Sequence, residues 1–234
     1  MTHQNLAGNV SGEVPEYIRS DDKASDLSSL QKFRVVVLKL GGSLLDLPDL
    51  AHRLIYLLNN PGKCCSGFTP SPDTRWLIIA GGGAAADEIR RLDELYHLPS
   101  SMTHWDAIAA MTFNAGMLAR LIPAITLVRS WSEANDAWSA NRPAILDVYH
   151  FLKNEGRAIG GELAESWAVT SDTIAAAVCR LLNGACLIMA KSRNLPAASI
   201  NWTDVAQLGL VDPSFPAAVE GLKVCWVNLR RSDL

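Results

Sequence analysis

Residues 32–46 read KFRVVVLKLGGSLLD, and the fold of the chain turns on them. The apolar, β-branched run 34–40 has the composition of a strand buried on both faces, as in a parallel sheet. It stops at Gly41, Gly42 and Ser43, where the backbone gains freedom and no Cβ obstructs the approach of a polyanion. A helix starting near Ser43 would add N-terminal N–H groups to the same anion site. Lys39 lies two residues upstream, where a strand-borne ammonium reaches the same phosphates. The alternative is a Gly-Gly turn beside a lysine that extends to solvent, but a lysine inside a buried strand is costly without a partner.

The motif recurs. Residues 76–80 are a second apolar strand ending in Gly81, Gly82 and Gly83, and 84–96 follow as an amphipathic helix with Ile89, Leu92, Leu95 and Tyr96 on one face. Two strand–glycine–helix units predict two backbone-rich anion sites at the carboxyl edge of one parallel sheet. Gly81, Gly83 and Ala86 also satisfy G-x-G-x-x-A, the dinucleotide fingerprint, which further requires an acidic residue at the tip of the next strand. Asp106 has about the right spacing but falls inside the helical pattern 102–122, whose apolar face is Trp105, Ile108, Met111, Ala115, Leu118 and Ile122. A helix interior cannot place a carboxylate on a ribose at a strand tip, so the dinucleotide reading is disfavoured.

Further along, a helix is expected over 50–58, strands over 124–128, 143–147 and 185–190, a short helix over 130–140, and a loop over 156–164. Thr170 and Ser171 are N-cap residues for a helix continuing to Leu182, and Asp172 in its first turn complements the helix dipole. Residues 1–32 are polar and aperiodic and are read as a flexible arm ahead of a single domain, 33–234.

Composition narrows the partners. Of 234 residues, 49% are hydrophobic, enough for one large core, and 21 basic against 24 acidic residues give no electrostatic reason for a nucleic-acid or membrane partner. A small-molecule ligand is expected instead. Five cysteines without CxxC spacing fit a reducing, cytoplasmic setting, and the five histidines, His3, His52, His97, His104 and His150, show no metal-ligand spacing. No apolar run is long enough to span a bilayer, and there is no secretory signal pattern at the N-terminus.

KLGGS after the first strand, GGG after the second, and T-S-D-T before a helix leading to a strand that ends in Lys191 together resemble the amino acid kinase superfamily, over residues 34–194. Ser101-Met102-Thr103-His104-Trp105 and the segment from Ser166 to Asp172 are most similar to its branch of small kinases in methanofuran biosynthesis, which phosphorylate an aminomethyl-furanylmethyl phosphate. The resemblance implies an α/β fold, a three-layer αβα sandwich with a mainly parallel central sheet. Residues 33–165 would hold the phosphoryl acceptor, and 166–234 would hold ATP with Mg²⁺. It further implies that Lys39 bridges the transferring group, that Gly41, Gly42 and Ser43 cradle nucleotide phosphates, and that Asp172 holds Lys39. Gly81, Gly82 and Gly83 would face the acceptor, while Lys191 and Ser192 line the nucleotide pocket. Members commonly form homo-oligomers.

These roles agree with the chemistry, because phosphoryl transfer through a loose transition state needs alignment and charge neutralisation more than a strong base. An acceptor that is itself a phosphate already carries its nucleophilic oxygen. His104, near the start of the third helix, would then donate a hydrogen bond to that phosphate; the alternative is a helix histidine packed beside Trp105. The sequence departs from the superfamily after Lys191, where Arg193-Asn194-Leu195-Pro196 replaces the usual D-G-V, and the remaining chain holds one lysine, Lys223, in strand-like surroundings. The nucleotide half is therefore trimmed, and Lys191, Arg193 or a partner chain would have to supply the second positive charge. The competing class is a catalytically degenerate nucleotide-binding regulatory or storage protein on the same fold.

Overall fold

The computed structural model describes residues 33–65, 68–155, 163–196 and 201–231. The expected N-terminal arm and most of the expected 156–164 loop lie outside the described residues. Six parallel strands, β1 (Arg34–Leu40), β2 (Thr74–Ala80), β3 (Thr126–Val128), β4 (Ala144–Leu146), β5 (Cys186–Lys191) and β6 (Val224–Asn228), form one sheet in the order β3-β4-β2-β1-β5-β6. The main helices are α1 (Leu50–Asn59), α2 (Gly83–Tyr96), α3 (Ser100–Leu121), α4 (Trp131–Ser139), α5 (Val148–Asn154), α6 (Ser171–Leu181) and α7 (Trp202–Gln207). None of the described helices is long and apolar enough to cross a membrane.

Both faces of the sheet are covered, which is why the central strands read as unbroken apolar runs. Val35, Val37, Leu77, Ile79, Leu187 and Met189 point to one core, shared with α4, α5, α6 and α7. The residues between them, Val36, Leu38, Leu40, Ile78, Ala80 and Ile188, point to the other, shared with α1 and the latter half of α3. The chain progresses outward from β1 to one side through β2, then resumes on the other side of β1 with β5. The carboxyl end of β1 is thus the place where the strand order reverses, the customary ligand crevice of an open α/β sheet.

Two differences from the sequence reading bear on the site. Gly42–Leu44 is a single 3₁₀ turn, closed by Leu44 N–H to the Gly41 carbonyl and Leu45 N–H to that of Gly42, so no long helix starts at Ser43. The C-terminal end of the apolar face expected on α2 is also not covered by the described residues: Leu95 and Tyr96 are 56% and 65% exposed, while Ile89 and Leu92 are partly buried. The α5 segment, Val148–Asn154, carried no strong periodic signal; Asp147 starts it by accepting from the His150 N–H.

Candidate active site

Strand register assembles the crevice. Along β1 and β2 every residue from Arg34↔Thr74 to Leu40↔Ala80 is paired, so the two strands end level and their glycine loops emerge side by side. The Gly41 N–H donates to the Ala190 carbonyl and the Gly81 N–H to that of Leu40, each at 2.8 Å. The loops then touch backbone to backbone. A Cβ on Gly42 would sit 2.2 Å from the Gly83 nitrogen, and one on Gly81 would sit 2.6 Å from the Gly42 nitrogen. Gly83 itself has φ +57°, a conformation that favours glycine. Asn114 on α3 fixes the second loop from behind, donating through Nδ2 to the carbonyls of Gly81 (2.8 Å) and Gly82 (2.9 Å).

The same register brings the charged residues together. Lys39 lies opposite Met189, and the two-residue period of a strand puts Lys39 and Lys191 on the face of the sheet covered by α6. Asp172, in the first turn of α6, stands between them. Lys39 Nζ is 2.6 Å from Asp172 Oδ1, an ion pair lacking hydrogen-bond alignment, whereas Lys191 donates a 2.8 Å hydrogen bond to Oδ2 and another of 2.7 Å to the Leu210 carbonyl. All three side chains are largely buried.

Two ammonium groups therefore share one carboxylate, and the cluster carries a surplus positive charge. Burial works against ionisation of Asp172, but the charges of Lys39 and Lys191 outweigh it and hold the carboxyl below its usual range. Lys191 goes the other way. Desolvation, helped by repulsion from Lys39 and only partly offset by Asp172, lowers its pKa to about 8. Ser43 and Ser192 Oγ lie 2.9 Å apart and join the β1 and β5 loops at the rim.

The N-terminus of α6 is anchored from a distance. Thr170 occupies the N-cap position, but its hydroxyl donates to Asp212 instead of accepting from the helix. One oxygen of the buried Asp212 accepts the Thr170 and Thr173 N–H groups and the Thr170 hydroxyl, and the other accepts the Thr173 hydroxyl. This residue supports Asp172 through the backbone. Its only signal in the sequence is an Asp-Pro pair in a loop, so its role depends on long-range packing.

Beside the glycine loops lies a cavity of about 210 Å³, lined by Gly42, Ser43, Gly82 and Gly83, by Asp87, Arg90 and His104, by Ile108 and Met111, and by Trp167 and the start of α6. His104 is buried, and its Nδ1 is 3.3 Å from the Ser166 carbonyl. A carbonyl only accepts, so Nδ1 carries the proton and Nε2 is the free nitrogen. Burial lowers the pKa of this imidazole, more than the carbonyl contact and Glu165 raise it. Its ring also meets Trp105 edge-to-face at 6.1 Å, so cavity lining and packing coexist at this residue.

The expected site residues thus fall into two adjoining groups. Lys39, Asp172 and Lys191, with Gly41, Ser43 and Ser192 nearby, form the charged crevice. Gly82, Gly83 and His104 line the cavity, and Gly42 and Gly81 form the contact between the loops. Asn114 and Asp212 are the supports that the sequence did not single out.

No family model matches the chain. It is similar to the [5-(aminomethyl)furan-3-yl]methyl phosphate kinase of Methanocaldococcus jannaschii, at 24% identity over 198 residues, spanning 80% of this chain and 84% of that one. Among solved structures it resembles uridylate kinase from Archaeoglobus fulgidus (TM-score 0.53, 18% identity, 82% of this chain and 89% of that one). It also resembles UMP kinase from Ureaplasma parvum (TM-score 0.56, 12% identity, 85% and 91%). The chain has the three-layer fold of the amino acid kinase superfamily, and over four-fifths of its length its sequence is similar to that of a phosphate kinase.

Proposed function

We propose that the protein is a kinase that transfers the γ-phosphoryl group of ATP to a small phosphate monoester bearing one ring, of the aminomethyl-furanylmethyl phosphate type. The observation that carries this reading is the buried Lys39–Asp172–Lys191 cluster with its surplus positive charge at the strand-order reversal. A buried excess cation favours a polyanionic ligand, and the transition state of phosphoryl transfer spreads negative charge over several oxygens. Among the described residues no three His, Cys, Asp or Glu side chains converge to hold an ion. Asp172 is already engaged by both lysines, so Mg²⁺ would be held by the nucleotide phosphates, where it neutralises their charge. Lys191 is the second cation that the shortened C-terminal part otherwise lacks.

In this mechanism an oxygen of the acceptor phosphate attacks the γ-phosphorus and the bond to the β–γ bridging oxygen breaks, leaving ADP and a diphosphate. Lys39 and Lys191 neutralise charge on the transferring group and the leaving oxygen. A neutral His104 presents a lone pair at Nε2, so an acceptor arriving as the monoanion passes its proton there. The imidazolium then donates back to the phosphate dianion, whose freed oxygen is the nucleophile. The cavity of about 210 Å³ lies below the usual range for drug-sized ligands, which favours a one-ring acceptor over a nucleotide.

The test is ADP formation from MgATP with the aminomethyl-furanylmethyl phosphate beside uridylate, using Lys39→Ala as control. Turnover of the furan phosphate that the control loses is the expected result. Nucleotide binding without turnover of either acceptor would replace the kinase by a nucleotide-binding protein on the same fold.

A further inference from the structure

Charge is sorted unevenly across the acceptor cavity. The end at Gly82 and Gly83 offers backbone and no side chains, and the floor is apolar, from Ala107, Ile108 and Met111. The wall is the indole of Trp167, which is fixed in plane: its Nε1–H donates to Asp93 at 2.6 Å, and Arg90 stacks on it with the guanidinium 4.5 Å from the ring centroid. Asp93 also accepts from Thr103, so that carboxylate is consumed in holding the wall.

Asp87 is different. It is exposed, lines the same cavity, and its side chain makes no ion pair or hydrogen bond among the described residues, even with Arg90 three positions along the helix. It stands one turn of α2 beyond Gly83, about 6 Å along the axis. A carboxylate in a pocket for a phosphate ester opposes binding of that ester unless the ligand brings a compensating cation.

We propose that Asp87 selects acceptors carrying a protonated amine on the side of the ring remote from the phosphate, with the Trp167 indole as the flat surface against which the ring lies. The proposal rests on the kinase reading for the position of the phosphate, which places the phosphate at the glycine loops and leaves the amine one helical turn away. The carboxylate accepts the ammonium, and the pair sorts the ligand end to end. Asp87 is thereby a specificity-determining residue that takes no part in the transfer itself.

The experiment is calorimetric titration of the full chain with two probes, aminomethyl-furanylmethyl phosphate and the analogue with methyl in place of aminomethyl, alongside steady-state turnover of both with MgATP. The wild type should bind the amine-bearing probe about tenfold more tightly, the scale of one charged hydrogen bond. Asp87→Asn should lose that preference, binding the amine-bearing probe more weakly and the methyl analogue at least as tightly as the wild type does, and Asp87→Glu should retain it. Equal affinities in the wild type, or an equal change for both probes in Asp87→Asn, would overturn the proposal even with turnover intact. Preferential binding without turnover would support Asp87 and sink the kinase reading, and failure of both probes to bind would sink both.

Discussion

Raising the pH from 7 to 9.5 should switch off ATP use while the chain stays folded, because the group that loses its proton is Lys191. Its pKa is about 8, lowered by burial and by the neighbouring Lys39. If the kinase reading is right, kcat/KM for MgATP in the free enzyme should follow the protonated fraction of this lysine, about 0.9 at pH 7, half at pH 8 and about 0.03 at pH 9.5, a loss of about 30-fold. Bound phosphates favour the ammonium, so the corresponding fall in kcat should lie at higher pH. Lys191→Arg, which stays charged throughout, should be slower at pH 7 but lack the alkaline fall.

The stability effect has the opposite sign. The folded pKa lies below the ordinary lysine value of 10.5, so between about 8 and 10.5 the folded state binds fewer protons than the unfolded state. The contribution of Lys191 to folding therefore rises with pH in that window. It is measured as the difference in urea unfolding free energy between wild type and Lys191→Met. Activity falling while this difference moves toward the wild type is the signature of one buried ammonium. A kcat/KM that stays flat to pH 9.5, or an unchanged alkaline fall in Lys191→Arg, would refute the assignment.

Three other variants probe the supports. Asp172→Asn leaves two buried ammonium groups without their carboxylate and should cost about 3–5 kcal/mol in chemical denaturation, with kcat reduced even at temperatures where the variant is folded. Gly42→Ala puts a methyl 2.2 Å from the Gly83 nitrogen, forcing the loops apart; about 1–3 kcal/mol of stability should go with it, together with most turnover. Asp212→Ala should lower stability by about 3 kcal/mol, roughly 6–12 °C in Tm, with Asp212→Asn intermediate because its amide retains one accepting oxygen. Normal melting in Asp212→Ala would show that the start of α6 needs no such anchor.

Local chemistry explains which parts were readable in advance. β1 was legible because an apolar run of fixed length ended in glycines, and the observed strand is Arg34–Leu40 as read. The helices with a strong 3.6-residue period appear within a residue or two of the expected bounds, whereas α5 begins directly after a strand and is too short to show a period. The apolar stripe on α2 was a correct sign of a helix and a poor guide to burial at its C-terminal end, since Leu95 and Tyr96 meet no cover among the described residues. Asn114 and Asp212 act across 33 and 42 residues of sequence, and a single polar residue in a helix or loop announces no such partner.

Lys191 lies between these cases, and under the kinase reading it would let the C-terminal part place a second cation beside Lys39 without the usual glycine-rich segment. Strand alternation alone puts Leu187, Met189 and Lys191 on one face of β5, and a parallel neighbour in register with β1 puts that face beside Lys39. A lysine at the end of β5 therefore reaches the carboxylate of α6 without a separate glycine-rich segment to deliver it. The Leu210 carbonyl takes a second of its three protons, and Asp212, two residues further on, ties the same loop to the start of α6. One short loop thus positions both Lys191 and the helix turn that carries Asp172. On the kinase reading, the segment after Lys191 would be free to diverge from the superfamily pattern, because the second positive charge would sit on Lys191 itself.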